Sequence, residues 1–411
     1  MGGGMNELGN KIKLWRNYRH LTLEQLNALT GIHYARLSKF ERGVEIPNQQ
    51  MLERIEIALD VRFDDLKIVD EEIEALIFDF IDTLFYMRMN FDYFIDIINE
   101  KREVYMINQN YYKINLIEYI ISVLKSEIEV SNKLEKTLNS TVEPNTLYQQ
   151  LYLEYKAVKM HSLRHFNEAF VYAEKALSIS NYNKNTAMIN FHYSLLHHDC
   201  GQYEDARKYL MQAKQMFLEG CSYKRAINCD IQMANIYTRI GCYKKAIELQ
   251  IACLEVFHYM EVNDSMRALT LRNTAWVHIL MTEYEKSLKI LDEAEILEPK
   301  NGNLILYKIW CYYSLGRYDD ARKIIDDNQY LHDVSIYKDR FKLFEYLVIN
   351  GNQKPSKKLI NKAKEVYENL AEKEVYENMY FYLDILIDLL DRADDKDELI
   401  HYLKIKGHLG K

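Results

Sequence analysis

Apolar residues recur along this chain at intervals of three and four, with polar residues between them. Leu8, Ile12 and Trp15 open the pattern, Leu23, Leu26 and Leu29 continue it, and Met51, Leu52, Ile55 and Leu59 follow. That spacing places one apolar stripe on each of a series of α-helices. Thr22 stands before the second run with Gln25 three residues on, a capping-box pattern for a helix start. Gly31 breaks the run and supplies a tight bend. A further short helix is expected from His33 to Arg42, with Leu37 and Phe40 facing inward and Gly43 ending it.

Two short helices joined by a Gly-containing turn form a helix-turn-helix, whose second helix enters the major groove of DNA. An ordinary helical hairpin needs the same Leu spacing. Three details separate the two: an amphipathic helix on either side, groove-reading side chains on the second helix, and Arg16 and Glu41 placed to pair between helices. Those side chains are His33, Tyr34, Ala35, Arg36, Ser38 and Lys39, with Thr22 at the start of the preceding helix. Residues 8–66 resemble the phage-repressor (Cro/cI-like, XRE) class through G-N-K-I-K-L-W-R, L-T-L-E-Q-L, G-I-H-Y-A-R-L-S-K-F-E-R-G and I-P-N-Q-Q-M-L-E-R-I. The resemblance implies a five-helix DNA-binding domain over residues 5–69. That class often has Gln where this chain has Leu23, and Leu cannot make the hydrogen bonds Gln makes to the DNA.

Asp70–Met89 reads as a long helix, and residues 91–140 continue as amphipathic helices, one over Tyr112–Ile128. Asn139–Asn145, with Pro144, is the best loop, closing a linker helix and helical bundle over 70–145. From residue 146 the chain repeats itself. R-H-F-N-E-A (164–169), G-Q-Y-E-D-A (201–206), G-C-Y-K-K-A (241–246), T-E-Y-E-K-S (282–287) and G-R-Y-D-D-A (316–321) are one motif, their starts 37, 40, 41 and 34 residues apart. The small residue that ends each copy lets two helices approach closely, the Gly makes the turn, and the aromatic fills the space between them. This resembles the tetratricopeptide repeat. Arg164 and Thr282 depart from it in lacking the Gly. Residues 337–411 hold further helix pairs without the marker and are expected to cap the array.

Stacked helical pairs form a superhelix whose concave surface comes mainly from the first helix of each pair. In the best-matching copy the buried positions are expected to be Met233, Ala234 and Tyr237. The inner face is then Asn228, Ile231, Asn235, Thr238 and Arg239. Motif offsets add Phe191, Leu195, His198 and Asp199 on one side, with Leu269, Arg272 and Trp276, then Asn303, Leu306, Trp310 and Tyr313, on the other. Asn donates to and accepts from a peptide backbone at once, Arg takes a carboxylate through paired donors, and the aromatics suit apolar side chains. An extended peptide fits such a face, with Phe191, Asn228, Ile231, Asn235, Thr238, Arg239, Arg272, Trp276, Asn303 and Trp310 as the candidate contacts. Ordinary surface residues of a Tyr- and Asn-rich protein are the plainer alternative.

Composition agrees with a helical chain, since 411 residues include only four Pro and fourteen Gly. Three of those glycines, Gly2–Gly4, precede a second methionine, Met5, and read as an added leader over residues 1–4. Net charge is −8, unevenly spread: seven Lys/Arg against three Glu leave Met5–Gly43 at +4, so the remainder carries −12. A basic head on an acidic body suits a DNA module joined to something that does not bind DNA. No signal sequence opens the chain, and Asp79 and Asp82 interrupt its most apolar run, so a cytoplasmic protein without a membrane span is expected. The six cysteines form no C-x-x-C pair and read as small hydrophobes. No Walker loop, G-x-S-x-G, H-E-x-x-H or paired-Cys zinc spacing occurs. His161 with His165, and His192, His197 and His198 with Cys200, lack the spacing of a known metal site. No cofactor, metal or catalytic role is expected.

A repressor-type head followed by a tetratricopeptide array resembles, over essentially the whole chain, the peptide-pheromone receptors of Gram-positive bacteria, the Rap, Rgg, NprR, PlcR and PrgX group. The resemblance implies an all-α protein, a helix-turn-helix domain followed by a right-handed TPR-like α-solenoid. It also implies a homodimeric, quorum-sensing transcription regulator that binds an operator and is switched by a short signalling peptide held, like the dimer contacts, by residues 146–411. Two alternatives stand beside it. The array sequesters or dephosphorylates a response-regulator protein, or it binds another protein partner.

Overall fold

The computed structural model describes residues 3–63, 65–88, 90–179, 184–260, 262–372 and 376–409, and every regular element among them is helical. The chain divides into two compact units, residues 1–189 with 219–222 and residues 190–218 with 223–411. The expected leader lies partly outside the described residues, at Met1 and Gly2; Gly3 and Gly4 already belong to the first helix.

The first unit opens with α1 (Gly3–Tyr18), α2 (Leu23–Thr30), α3 (Tyr34–Glu41) and α4 (Gln49–Leu59). Ile12, Leu26, Leu37, Phe40, Ile55 and Leu59 are each 1% exposed or less and form one core. Leu23 packs against that core, which gives the apolar side chain a structural use at the position where Gln is common in the repressor class. Leu29 does not follow the apolar stripe. It is 60% exposed, and Thr30 turns inward instead, its hydroxyl donating to the Leu26 carbonyl and accepting from the Ile32 amide.

The head is followed by α5 (Asp65–Phe85), α6 (Phe91–Glu100), α7 (Arg102–Met106), α8 (Tyr111–Leu124), α9 (Ile128–Thr141), α10 (Leu147–Ser162) and α11 (Phe166–Ser178). The long linker helix starts earlier than its apolar spacing suggests, so it runs unbroken through residue 70. The expected helix over Tyr112–Ile128 is in fact α8 and the start of α9. Ser126 turns the chain between them with φ of 59°. The loop near Pro144 is shorter than expected, because α9 holds its helix to Thr141. Phe80, Phe94, Ile117, Tyr119 and Tyr155 lie in a second core shared by helices α5 to α10.

α12 (Lys184–Asp199) runs from one unit into the other, and the second unit continues in pairs. These are α13 (Tyr203–Glu219), α14 (Tyr223–Arg239) with α15 (Tyr243–Val256), α16 (Asp264–Leu280) with α17 (Tyr284–Leu297), and α18 (Gly302–Ser314) with α19 (Tyr318–Asp327). A 3₁₀ turn at Gln329–His332 leads to α20 (Lys338–Asn350), α21 (Lys357–Glu372), α22 (Tyr376–Ala393) and α23 (Lys396–Leu409).

All five copies of the marker turn have one geometry. Their first residues, Arg164, Gly201, Gly241, Thr282 and Gly316, hold φ of 61°, 74°, 75°, 59° and 73°. The amide of the next residue reaches back to a carbonyl five positions earlier: His165 to Met160, Gln202 to His197, Cys242 to Tyr237, Glu283 to His278, Arg317 to Tyr312. This is the Schellman helix stop, and it forms whether or not Gly is present. The small residue closing each copy, Ala169, Ala206, Ala246, Ser287 or Ala321, is 0% exposed. Ser287 turns its hydroxyl onto the Ala275 carbonyl at 3.0 Å.

Candidate functional site

The head presents one polar face. Thr22 and Gln25 close the capping box reciprocally, at 3.1 Å and 2.8 Å, so the Thr22 hydroxyl is held at the start of α2. Gly31 sits at φ 69°, stopping α2 and letting the chain enter α3 three residues later. His33 caps α3, its Nδ1 accepting from the Ala35 amide at 3.3 Å, and its ring lies 4.5 Å from that of Tyr34. Tyr34, Ala35, Arg36 and Lys39 are exposed, while Ser38 is half-buried. Arg36 is held in place: its Nε donates to Glu45 at 2.6 Å and its guanidinium lies 5.7 Å from the Phe40 ring. Lys39 has no ion-pair partner among the described residues, leaving its charge available. Arg16 and Glu41 pair as the sequence suggests, with side chains only 12% and 6% exposed.

On the array, four places counted back from the marker turns at Gly241, Thr282 and Gly316 stay half-buried rather than buried: thirteen, nine, six and two residues before each. On α14 they are Asn228, Gln232, Asn235 and Arg239; on α16, Leu269, Asn273, Trp276 and Leu280; on α18, Asn303, Tyr307, Trp310 and Ser314. On α12 three of the four places do so, His192, Leu195 and Asp199, while Met188 is buried; on α10 Leu151 and Tyr155 are buried. Steps of four, three and four keep these residues on one face of each helix. Neighbouring helices meet along it in a regular way. The Asn273 amide on α16 donates to the Asn235 amide oxygen on α14 at 3.0 Å. One helix further on, the Tyr307 ring stacks on Trp276 at 4.9 Å. The residue six before one turn thus touches the residue nine before the next.

This stripe corrects part of the expected peptide face. Phe191 and Ile231 are 4% and 0% exposed, and Leu306 in the same register is 2% exposed. All three lie ten residues before a turn, and Phe191 meets Phe217 of α13 at 6.4 Å. Arg272 shares that register and is drawn onto Glu298, its side chain only 13% exposed. Thr238 is also buried, its hydroxyl bonded to the Ala234 carbonyl at 2.9 Å. Met233 and Tyr237, expected inside, are half-buried; Ala234 is buried as expected. Asn228, Asn235, Arg239, Trp276, Asn303 and Trp310 remain on the open stripe. His192, Gln232, Asn273 and Tyr307 were missed. Repeating the spacing of four and three back from each turn finds them without a structure.

Two segments of the chain match different family models. Residues 12–66 match the helix-turn-helix family. Residues 189–217 match the tetratricopeptide repeat. No curated protein matches the chain. Among solved structures, a Rap protein complexed with competence and sporulation factor is similar at 14% identity, covering 83% of this chain and 99% of that one with a TM-score of 0.69. The apo form of the quorum sensor NprR from B. thuringiensis aligns at 16% identity over 84% of this chain and 100% of its own, with a TM-score of 0.62. Aspartyl phosphate phosphatase F from Bacillus subtilis aligns at 16% identity over 98% of this chain and 94% of its own, with a TM-score of 0.55. The fold is therefore that of a repressor-type head followed by tetratricopeptide-like pairs, as in the quorum-sensing group. Among the described residues no helix is long and apolar enough to cross a membrane.

Proposed function

We propose that the chain is a DNA-binding regulator switched by a short peptide held along the stripe of α12, α14, α16 and α18. The single observation that carries the reading is the Asn235–Asn273 pair beside Asn228, Gln232 and Arg239. A row of half-buried amides offers donors and acceptors in alternation, which is what an extended peptide backbone needs and what a folded protein surface rarely supplies. Trp276, Tyr307 and Trp310 continue the row with apolar surface for its side chains. The likeness in fold to the quorum sensor NprR supports the same reading. The exposed Tyr34, Ala35 and Lys39 on α3 are the matching support for a DNA operator, and two half-sites would call for a homodimer.

The test couples the two halves. Pooled heptapeptides are screened for a change in the affinity of the full chain for its operator, and a hit is then titrated by calorimetry. Asn235→Ala and Asn228→Ala should each cost roughly 1–3 kcal/mol of peptide binding, ten- to a hundredfold, with peptide-free DNA binding intact. Unchanged affinity in both variants would place the peptide elsewhere. A second reading, binding or dephosphorylation of a response-regulator protein, has the likeness to aspartyl phosphate phosphatase F on its side. It would be favoured if no peptide altered operator binding while a response-regulator domain bound the chain.

A further inference from the structure

At the C-terminal end of the stripe the polar row gives way to a cleft lined by Trp276, Tyr307, Trp310, Arg340, Phe344 and Phe381. Its walls are almost all aromatic. The Phe381 ring, carried by α22, stands edge-on to both indoles, 5.0 Å from Trp276 and 4.9 Å from Trp310, with interplanar angles of 70° and 78°. The remaining wall carries one cation. Arg340 is half-buried, and among the described residues no carboxylate lies within ion-pairing distance of it. Its guanidinium meets neutral groups: the Ile336 carbonyl at 2.7 Å, the Asn303 amide oxygen at 3.5 Å, the Tyr337 ring at 5.2 Å and the Tyr382 phenol. Burial raises the Tyr382 phenol to about 12 even though the charge and hydrogen bond of the adjacent Arg340 oppose the shift, so the guanidinium stands against that side of the cleft.

Several buried or half-buried cations of this unit are neutralised, while Arg267, like Arg340, meets a carbonyl, that of Phe257 at 2.9 Å. Arg272 has Glu298, Lys308 has Asp292 and Glu295, and Lys362 has Asp339 and Glu365. A guanidinium carries five donors in a fork that fits a carboxylate, so Arg340 retains donors for one. An anion that reaches it must carry a bulky apolar group past the tryptophans. The end of a peptide chain has both parts on one residue.

We propose that this cleft takes the C-terminal residue of the bound peptide, its free carboxylate on Arg340 and its apolar side chain between Trp276 and Trp310. In the free chain Phe381 fills that place, and the ligand side chain displaces it. The peptide then lies with its C-terminus at α18–α20 and its body along the amides of α14 and α16. This rests on the peptide reading above and adds a direction and a terminal chemistry to it.

Two of the chain's three tryptophans line the cleft, so intrinsic emission of the full chain reports on it. The probes are N-acetyl-Leu-Phe with a free carboxylate, the same dipeptide as its C-terminal amide, and phenylacetate. Saturable quenching or shift is expected with the acid, and binding about tenfold or more weaker with the amide. Arg340→Gln should erase the difference between acid and amide. Phe381→Ala should tighten the acid by about tenfold, by removing the competitor. Circular dichroism confirms that both variants stay helical; should one fail to fold, the acid–amide comparison on the unaltered chain still decides. Equal affinity for acid and amide, or no saturable change with either at millimolar concentration, overturns the proposal. Phenylacetate binding as tightly as the dipeptide acid overturns the assignment to a peptide end and points to a small aromatic acid. A peptide response at the operator that persists alongside either failure shows that this cleft, and not the peptide reading, was wrong.

Discussion

Arg16 and Glu41 are joined through both ends of their side chains: Nε to Oε1 at 2.6 Å and an Nη to Oε2 at 3.0 Å. The other Nη of Arg16 donates to the Leu21 carbonyl at 2.7 Å, so one guanidinium ties the end of α1 to the end of α3 and to the entry of α2. Because both side chains are nearly buried, Glu41→Ala leaves an unpaired charge inside the head. A loss on the order of 3–5 kcal/mol is expected. Hydrogen exchange in the full chain should show α1 and α3 amides opening a hundredfold or more faster. An effect below about 1 kcal/mol would mark the pair as an ordinary surface contact.

Gly9 gives the same helix contact a steric requirement. A Cβ there would stand 2.3 Å from the Phe40 carbonyl oxygen, and backbone cannot swing aside. Helix propensity favours Ala over Gly by about 1 kcal/mol, but overpacking against a fixed carbonyl costs about 1–3 kcal/mol or more. Gly9→Ala should therefore destabilise the head. Gly407→Ala, where nothing lies within 4 Å, should be neutral or stabilising. Urea titrations of both variants give the comparison, and equal midpoints would refute it.

The two marker turns without Gly carry strain. A side chain at a left-handed φ costs roughly 1–2 kcal/mol, and Thr282 is β-branched, which makes its position the worse of the two. Thr282→Gly should raise stability by about 1 kcal/mol and Arg164→Gly by somewhat less, read as a shift in denaturation midpoint at unchanged slope. Gly241→Ala should lower it by a similar amount. No gain in Thr282→Gly would mean that its side chain earns its place through a contact.

Asp70 on α5 accepts from Lys11 of α1 at 2.7 Å and from Asn110 at 3.0 Å. Burial pushes its carboxyl up, but the hydrogen bonds from Lys11 and Asn108, with the Lys11 charge, outweigh it and hold the group below its ordinary value. A depressed carboxylate stabilises the fold above its unfolded value and loses that contribution as pH falls through the folded one. Acidification from about pH 5 to about pH 2 should loosen α1 from α5, and Asp70→Asn should flatten that part of the profile. An identical pH profile in the variant would remove Asp70 from the account.

On the DNA face, Lys39→Ala should weaken operator binding across sequences alike and reduce the salt slope by about 1, as for a phosphate contact. Arg36 differs because Glu45 already holds it. Arg36→Ala should relax base preference at one position at a cost of roughly 1–3 kcal/mol. Binding measured at several salt concentrations on operator variants separates these outcomes. An unchanged salt slope in Lys39→Ala would remove it from the backbone contacts.

The head was legible because its signals are local: a capping box, a left-handed Gly and two buried hydrophobes fall within twenty residues. The marker turns were legible for the same reason, and Arg164 and Thr282 show that hydrogen bonding there outweighs the missing Gly. The inner face was only half legible. Ile231 and Thr238 look exposed if a helix packs on one neighbour, but α14 packs on α15 and also along α16, so a second strip of its surface is buried. Arg272 looks free for a ligand in the sequence because Glu298, just past the end of α17, is 26 positions away. Arg340 escaped notice altogether, since it lies beyond the last marker and no spacing rule points to it.

The recurring Schellman stop has a consequence for how such an array can vary. Because the stripe is counted backward from the turn, its register depends only on the end of each first helix. Residues gained or lost in the second helix, or at the start of the first, change the interval between copies without rotating the ligand-facing side chains. The intervals between the last three turns, 41 and 34 residues, differ in that way while the stripe keeps its phase. The turn is thus a datum line, and a natural splice point: segments exchanged between such proteins at this position would arrive with their recognition residues already aligned.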